Sequence, residues 1–328
     1  MKPNRAWIEI LIVFILMGAL IGPIQEAETV LANAEEAGAF QQEITISAGG
    51  YHTCGIQSDG TLVCWGLNHE GQSTPPSGTF MQVSAGEEHT CGIQSDGTIA
   101  CWGDDETYQV TDTPAGTFRQ ISSGDYHICG IQSDGYLACW GLDDNDQATP
   151  PAERFRQVSA GGDHTCGIKY NGLLACWGRD IYDQVSGMPS GTFSSISAGD
   201  NHTCAIDDNG TVVCWGLDDY DQVTDTPGGM FIQVSGGGNH TCGIQSDGRL
   251  LCWGSDLEGQ SNAQPGPFDQ ISAGNEHTCG VKSDGTVICW GDNELDQTEA
   301  PDVNLLRPQI EAGKYHTCMI QSDGTLDC

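Results

Sequence analysis

The fifteen residues "HTCGIQSDGTLVCWG", from His52 to Gly66, recur in close copies that start at His89, His127, His164, His202, His240, His277 and His316. The first cysteines of successive copies are 37, 38, 37, 38, 38, 37 and 39 residues apart. A steady period in this range means small supersecondary units that bury a core only by packing on their neighbours. No segment beyond the N-terminal leader has helical spacing, and every interval carries a proline: Pro75, Pro114, Pro150, Pro189, Pro227, Pro265 and Pro301. Short alternating runs bounded by Gly, Pro and Asp are strands. One unit supplies "FMQVSAG", then "HTCGIQ", then "TLVCWG", with a segment such as "DQVTD" as a candidate fourth strand. The fold class is therefore all-β, a propeller whose blades have three to four antiparallel strands.

The repeated motif reads as a hairpin. Gln57 and Thr61 flank a three-residue loop, Ser58-Asp59-Gly60, in which glycine is free to take positive φ. That register sets Ile56 opposite Leu62, Gly55 opposite Val63 and Cys54 opposite Cys64. The cysteines then fall on a non-hydrogen-bonded pair, where facing Cα atoms come closest and a disulfide fits. All sixteen cysteines divide into such pairs: Cys54/Cys64, Cys91/Cys101, Cys129/Cys139, Cys166/Cys176, Cys204/Cys214, Cys242/Cys252, Cys279/Cys289 and Cys318/Cys328. An even count at fixed spacing in an exported chain is a disulfide framework. Zinc is the rival reading, but structural zinc sites bring cysteines two to four residues apart, which these are not.

Export is expected from the N-terminus. Lys2 and Arg5 precede an apolar run from Ile10 to Gly22, and Ala32-Asn33-Ala34 is a small-residue cleavage pattern. This is the layout of a signal peptide over residues 1–34, followed by an N-terminal segment 35–43 and the repeats over 44–328. A retained membrane anchor is the alternative, and the apolar run is short for a span. Without residues 1–34 the chain keeps 9 basic and 42 acidic side chains, a net charge of −33. Such a surface repels phosphate backbones and anionic membranes, so nucleic acid is excluded as a partner. The expected localisation is secreted or cell-surface, with membrane contact only through an uncleaved leader.

The pattern G-x-x-H-x-C-x-(I/V)-x-x-(D/N)-G-x-(L/V/I)-x-C-W-G, followed by a loop ending in Gln, resembles the repeat of the regulator of chromosome condensation family, in its cysteine-bearing exported bacterial form. The propeller-type β-lactamase inhibitor protein shares that superfamily. The likeness runs from about Ile44 to Cys328. It implies a seven-bladed propeller, whereas this chain supplies eight hairpins, the last ending at Cys328 without Trp-Gly. The chain also has "EGQSTPP" or "DQVTDTP" where the family has a longer "GQLG" loop. Eight blades are the preferred expectation, with residues near 40–46 completing the ring. A seven-bladed ring with a leftover hairpin, or an unclosed fragment, is the alternative.

Repetition also bears on function. A reaction needs one arrangement of unlike groups, so a residue present in every unit is architecture. The register histidines are expected to bond backbone within their own blades, and Trp65, Trp102, Trp140, Trp177, Trp215, Trp253 and Trp290 to wedge between blades. The Ser-Ala-Gly runs suit strands crowding a central channel. Function should lie where units differ: the loops "LNHEGQ", "DDETYQ", "LDDNDQ", "RDIYDQ", "LDDYDQ", "SDLEGQ" and "DNELDQ". Equivalent loops share one rim and would form an acidic crown with Tyr108, Tyr182 and Tyr220 set into it. Tyr51, Tyr126 and Tyr315 precede histidines in a second variable pair. Candidate binding residues are those three crown tyrosines with Asp144, Asp146, Asp219, Asp221 and the off-register His69. The expected partner is another protein, basic in character, or a cell-surface glycan, bound by a monomer.

No cofactor is expected. Calcium is the one candidate ion, because Asp143-Asp144-x-Asp146 and Asp218-Asp219-x-Asp221 supply hard oxygens, although neither continues into a twelve-residue loop with a terminal Glu. The rival class is an extracellular hydrolase or lyase on the propeller face. Its only unrepeated features would be His69 beside Glu70 and the Lys169-Tyr170 departure from Gln-Ser, and neither brings a nucleophile–base pair, so the chain is read as no enzyme.

Overall fold

A computed structural model describes residues 46–301 together with the strands Gln309–Ala312, Thr317–Ile320 and Leu326–Asp327. The leader, residues 35–45, Tyr315 and the Cys318/Cys328 side chains lie outside the described residues. Every described element is a strand. Seven three-stranded antiparallel sheets occupy residues 46–66, 80–103, 118–141, 155–178, 193–216, 231–254 and 268–291. In the first, the inner strand is Ile46–Ala48, the middle His52–Ile56 and the outer Leu62–Gly66.

The hairpin register is the one the motif predicts. Ile56 faces Leu62, Gly55 faces Val63 and Cys54 faces Cys64. Gln57 N donates to Thr61 O, and Gly60 turns the chain at φ 82°. Seven disulfides join middle to outer strands with Cα atoms 4.0–4.1 Å apart: Cys54–Cys64, Cys91–Cys101, Cys129–Cys139, Cys166–Cys176, Cys204–Cys214, Cys242–Cys252 and Cys279–Cys289. The two ends of each bridge differ in environment. The middle-strand cysteines are fully buried, whereas Cys64, Cys101, Cys139, Cys176, Cys214, Cys252 and Cys289 are only partly buried, because the outer strand has no neighbour on its far side. All fourteen are structural rather than ligand-binding groups, and among the described residues no cysteine is free to hold zinc.

The glycine after each first cysteine is required by packing in most blades. A Cβ on Gly92 would sit 2.6 Å from the Phe80 ring, which lies across the middle strand.

The ring closes at seven blades, not the preferred eight. Each inner strand packs on the next, and the inner strand of blade seven packs on that of blade one. The serine of every Ser-Ala/Ser/Gly run sits in this contact. Ser47 Oγ accepts from Ala85 N, and the pattern continues round to Ser272 Oγ, which accepts from Ala48 N at 3.0 Å. Ile46 belongs to blade one's own inner strand and packs with Cys279 and Val281 of blade seven. The eighth repeat pairs within a separate sheet, with Ile310 opposite Met319 and Ile320 opposite Leu326. The number of blades follows from the angle at which neighbours pack, which a count of repeats does not contain.

The predicted fourth strand is a loop. In "LDDYDQVTD", Asp218 Oδ1 accepts from Val223 N and Thr224 N, so the donors a strand would offer to a ladder are already used. The histidines also differ from expectation, because six of the seven in the ring reach the next blade rather than their own backbone. His52 Nε2 lies 2.7 Å from Thr90 Oγ1, and His127, His164, His202, His240 and His277 repeat the contact, the last with Thr53 across the ring closure. The Thr90, Thr165 and Thr278 hydroxyls donate onward to the carbonyls of Gln72, Gln147 and Gln260. A hydroxyl that gives away its proton must accept from the imidazole, which fixes a neutral Nε2–H tautomer. His89 departs from the series, because Ile128 stands where the other blades have Thr and neither ring nitrogen has a partner.

Candidate binding face

Within each blade the inner-to-middle turn and the loop after Trp-Gly lie at one end of the strands, while the middle-to-outer hairpin lies at the other. In a ring these ends make two faces. The first gathers the seven variable loops, and the sequence shapes all of them alike. An Asp or Asn at the loop start (Asn68, Asp105, Asp143, Asp180, Asp218, Asp256, Asn293) accepts from the backbone N–H five residues on. Burial opposes ionisation of Asp105, Asp180 and Asp218, but these N–H bonds outweigh it and hold their carboxyls below the ordinary range.

Each loop then turns through a left-handed residue just before a buried glutamine. The turning residue is Gly71, Tyr108, Asp146, Asp183, Asp221, Gly259 or Asp296, with φ between 59° and 85°. The glutamine Oε1 accepts from the N–H two residues earlier, as Gln109 does from Thr107 N at 2.8 Å. Its carbonyl accepts from the indole of the next blade: Gln72 from Trp102, Gln109 from Trp140, and so on to Gln297 from Trp65. The tryptophans are thus inter-blade wedges, and the loop base is part of the ring.

Between cap and latch each loop leaves a three-residue tip in solvent. Asp144 and Asp146 are exposed in the third loop, and Asp219, Tyr220 and Asp221 in the fifth. Tyr182 is exposed in the fourth, Tyr108 in the second and His69 in the first. All eight residues singled out by sequence therefore lie on one face, distributed over five loops. Sequence reasoning missed the aliphatic tips, Ile181, Leu257 and Leu295, of which Leu257 is 75% exposed. Their signal was positional, since each falls in the same tip as the tyrosines. The capping carboxylates of Asp143 and Asp218, offered as calcium ligands, are engaged by their own loops' N–H groups. Among the described residues no three His, Cys, Asp or Glu side chains are placed to hold a metal ion.

Nearer the axis, the inner-to-middle turns add more carboxylates to the same face. Burial, reinforced by the negative charges of Glu87 and Asp163, raises Asp200 to about 6. Burial likewise pushes Asp125 well up, with Asp200 and Glu87 adding to it. A hydrogen bond to Glu87, with burial and nearby carboxylates, raises the Tyr126 phenol. The histidines beneath are fully buried, and burial lowers them to about 3 (His52, His127, His164, His240) or about 4 (His89, His202, His277). They are neutral structural groups, not acid–base catalysts at neutral pH.

The opposite, hairpin face differs in charge. Of the seven Lys and Arg among residues 46–301, Arg179 alone belongs to the loop face, bound to Asp163 at 2.8 Å. The other six lie at the hairpin end.

No curated protein matches the sequence. Among solved structures, the ectodomain of the Arabidopsis thaliana receptor kinase ACR4 is 28% identical over 75% of this chain and 96% of that one, with a TM-score of 0.65. The ectodomain of the Physcomitrella patens receptor kinase CR4 is 27% identical over 76% of this chain and 73% of that one, also at 0.65. Prp20p of Saccharomyces cerevisiae, described with its binding to Gsp1p and histones, shares the fold at 15% identity, covering 77% of this chain and 83% of its own with a TM-score of 0.62. The regulator of chromosome condensation (RCC1) repeat model matches residues 44–72, 82–109, 118–147, 155–184, 193–222, 231–260 and 268–297, one segment for each blade of the ring. With more than half its length in those seven repeats, the chain belongs to the RCC1 repeat family.

Proposed function

We propose that this protein is an exported, non-catalytic interaction module that holds a basic partner protein on its loop face. The supporting observation is a division of labour among residues. The repeated histidine, threonine, tryptophan and glutamine groups are consumed in joining blades, whereas the loop-face tips are exposed and unlike one another. Those tips combine carboxylates with Tyr108, Tyr182, Tyr220, Ile181 and Leu257, and aromatic anchors inside a polar rim are what protein interfaces use. Seven disulfides suit an oxidising compartment, and two similar solved structures are receptor ectodomains. Prp20p, which shares the fold, is described as binding proteins.

The test is capture on immobilised protein from the native extracellular milieu, followed by elution in rising salt. A basic protein released by salt supports the reading, because charge attraction at an exposed face is screened. A retained partner indifferent to salt, or a glycan as the sole ligand, argues against it.

A further inference from the structure

The hairpin face carries a feature found in no other blade. In blades three and four, five positions carry residues that no other blade has there, Arg119, Tyr136, Arg154, Arg156 and Tyr170, and Lys169, whose counterpart in blade seven is Lys282, lies among them. Where Tyr170 stands, blades one, two, three, six and seven have Ser58, Ser95, Ser133, Ser246 and Ser283. Where Arg154 stands, blades two, three and five have Thr79, Thr117 and Thr192. Arg119 and Arg156 occupy the bulged residue of their inner strands, between Phe118 and Gln120 and between Phe155 and Gln157. A bulge turns that side chain out of the ladder.

The topology brings these scattered residues together. The Arg119 guanidinium lies 5.4 Å from the centre of the Tyr170 ring, and Arg154 lies 5.8 Å from both the Tyr170 and Tyr136 rings. Each arginine is anchored by one backbone carbonyl: Arg154 Nε donates to Asp134 O at 2.7 Å, Arg119 Nη2 to Phe155 O and Arg156 Nη2 to Phe193 O. Only Lys169 is paired, with Glu153 at 2.5 Å. In a chain with 45 acidic and 11 basic residues, Arg119, Arg154 and Arg156 have no carboxylate partner among the described residues, and the first two share the Tyr170 ring. Both tyrosines remain close to half exposed, at 45% for Tyr136 and 50% for Tyr170.

We infer that this patch is a second binding surface, which takes an acidic polypeptide segment. Guanidinium forks match carboxylates in a planar, bidentate way, and forks already anchored lose little freedom on binding. The ligand must be narrow. Asp134, whose carbonyl holds Arg154, and Glu153, paired with Lys169, border the patch and repel a broad anionic surface such as a duplex or a membrane. The Tyr170 ring is engaged by guanidiniums rather than left open for a sugar to stack on, and Leu173, 44% exposed beside it, offers an apolar contact suited to peptide side chains. The two faces would thus select partners of opposite charge.

The test uses the full-length, disulfide-intact protein and a fluorescent hexaglutamate peptide, read by anisotropy at low salt. The variant R119S/R154T/K169Q/Y170S gives each position a residue that another blade carries, and K169Q/Y170S alone serves as a milder second variant. The expected result is at least tenfold weaker binding for the first variant and a smaller loss for the second. D219N/D221N, on the other face, should leave peptide binding unchanged. Absence of wild-type binding, or equal binding by the quadruple variant with unchanged thermal unfolding, overturns the inference. A galacturonate hexamer that binds more tightly than the peptide also overturns it, by replacing the polypeptide with an acidic glycan.

Discussion

Mild acid should unfold this ring. Seven imidazoles, each fully buried, titrate near 3 or 4 in the folded protein because burial opposes their charge. In the unfolded chain they titrate near the ordinary value of about 6.5. The unfolded chain therefore takes up protons first. Stability is complete above about 6.5 and is lost as the pH falls toward the folded values. At pH 5.5 the unfolded imidazole is about ten-elevenths protonated, which costs the fold ~1.4 kcal/mol for each histidine. Seven together reach ~10 kcal/mol, as large as the whole net stability of a typical domain. Asp200 works in the other direction, since a carboxyl raised to about 6 favours the fold as it gains its proton. Between pH 7.5 and 5.5 it returns only ~0.8 kcal/mol, and Asp125, which burial also pushes up, returns at most ~2.7 kcal/mol, the limit for one proton over about two pH units, so the histidines win. Urea unfolding followed by tryptophan fluorescence, under non-reducing conditions at pH 7.5, 6.5 and 5.5, measures the effect. The midpoint should fall steeply between the last two. A midpoint unchanged over that interval, with fewer than about two protons taken up on unfolding, would refute the neutral-histidine reading.

Further outcomes are expected. Thr165→Val removes the partner of His127 and leaves its buried Nε2–H unpaired, while the Gln147 carbonyl keeps the Trp177 indole, and should cost about 1–3 kcal/mol in urea unfolding. Ile128→Val deletes no hydrogen bond, because His89 has no hydroxyl to lose there, and should cost only about 0.5–1.5 kcal/mol as a core truncation. Reduction of the seven disulfides should lower the urea midpoint, by at most ~3 kcal/mol for each closed hairpin in the chain-entropy picture; equal midpoints with and without reductant would contradict stapling. His69→Ala should weaken partner capture only slightly, since the candidate contacts are spread over five loops and His69 is a single exposed member of them, and a large loss would revive a catalytic or ligand role for it.

The sequence made local geometry legible and left the inter-blade contacts hidden. Ser58-Asp59-Gly60 fixed the hairpin register because turn chemistry and the Cys54–Cys64 spacing each allow one alignment. The same reasoning paired every described cysteine, but it could not tell that the outer-strand partners, Cys101 among them, keep some exposure. The role of the tryptophans was readable because an indole recurring at a strand end has little else to do. The partner of each histidine was not readable, since Thr90 answers His52 from 38 residues away. Its clue was the single departure at Ile128, which becomes informative only once the contact is known. The segment "DQVTD" alternates like a strand, and only the Asp218 cap shows where its N–H groups go. The crown was legible because its residues are adjacent in sequence. The patch of Arg119, Tyr136, Arg154 and Tyr170 was not, because four hairpin-end positions spread over about fifty residues meet only through the topology.

The claim that the unrepeated loop tips carry function is tested most directly by one binding comparison. The captured partner is titrated against wild-type protein and against D144N/D146N/D219N/D221N across a range of salt concentrations. The account predicts weaker binding and a shallower salt dependence for the variant, with its thermal unfolding unchanged. Identical isotherms and identical salt slopes would contradict it and move the interface elsewhere on the ring.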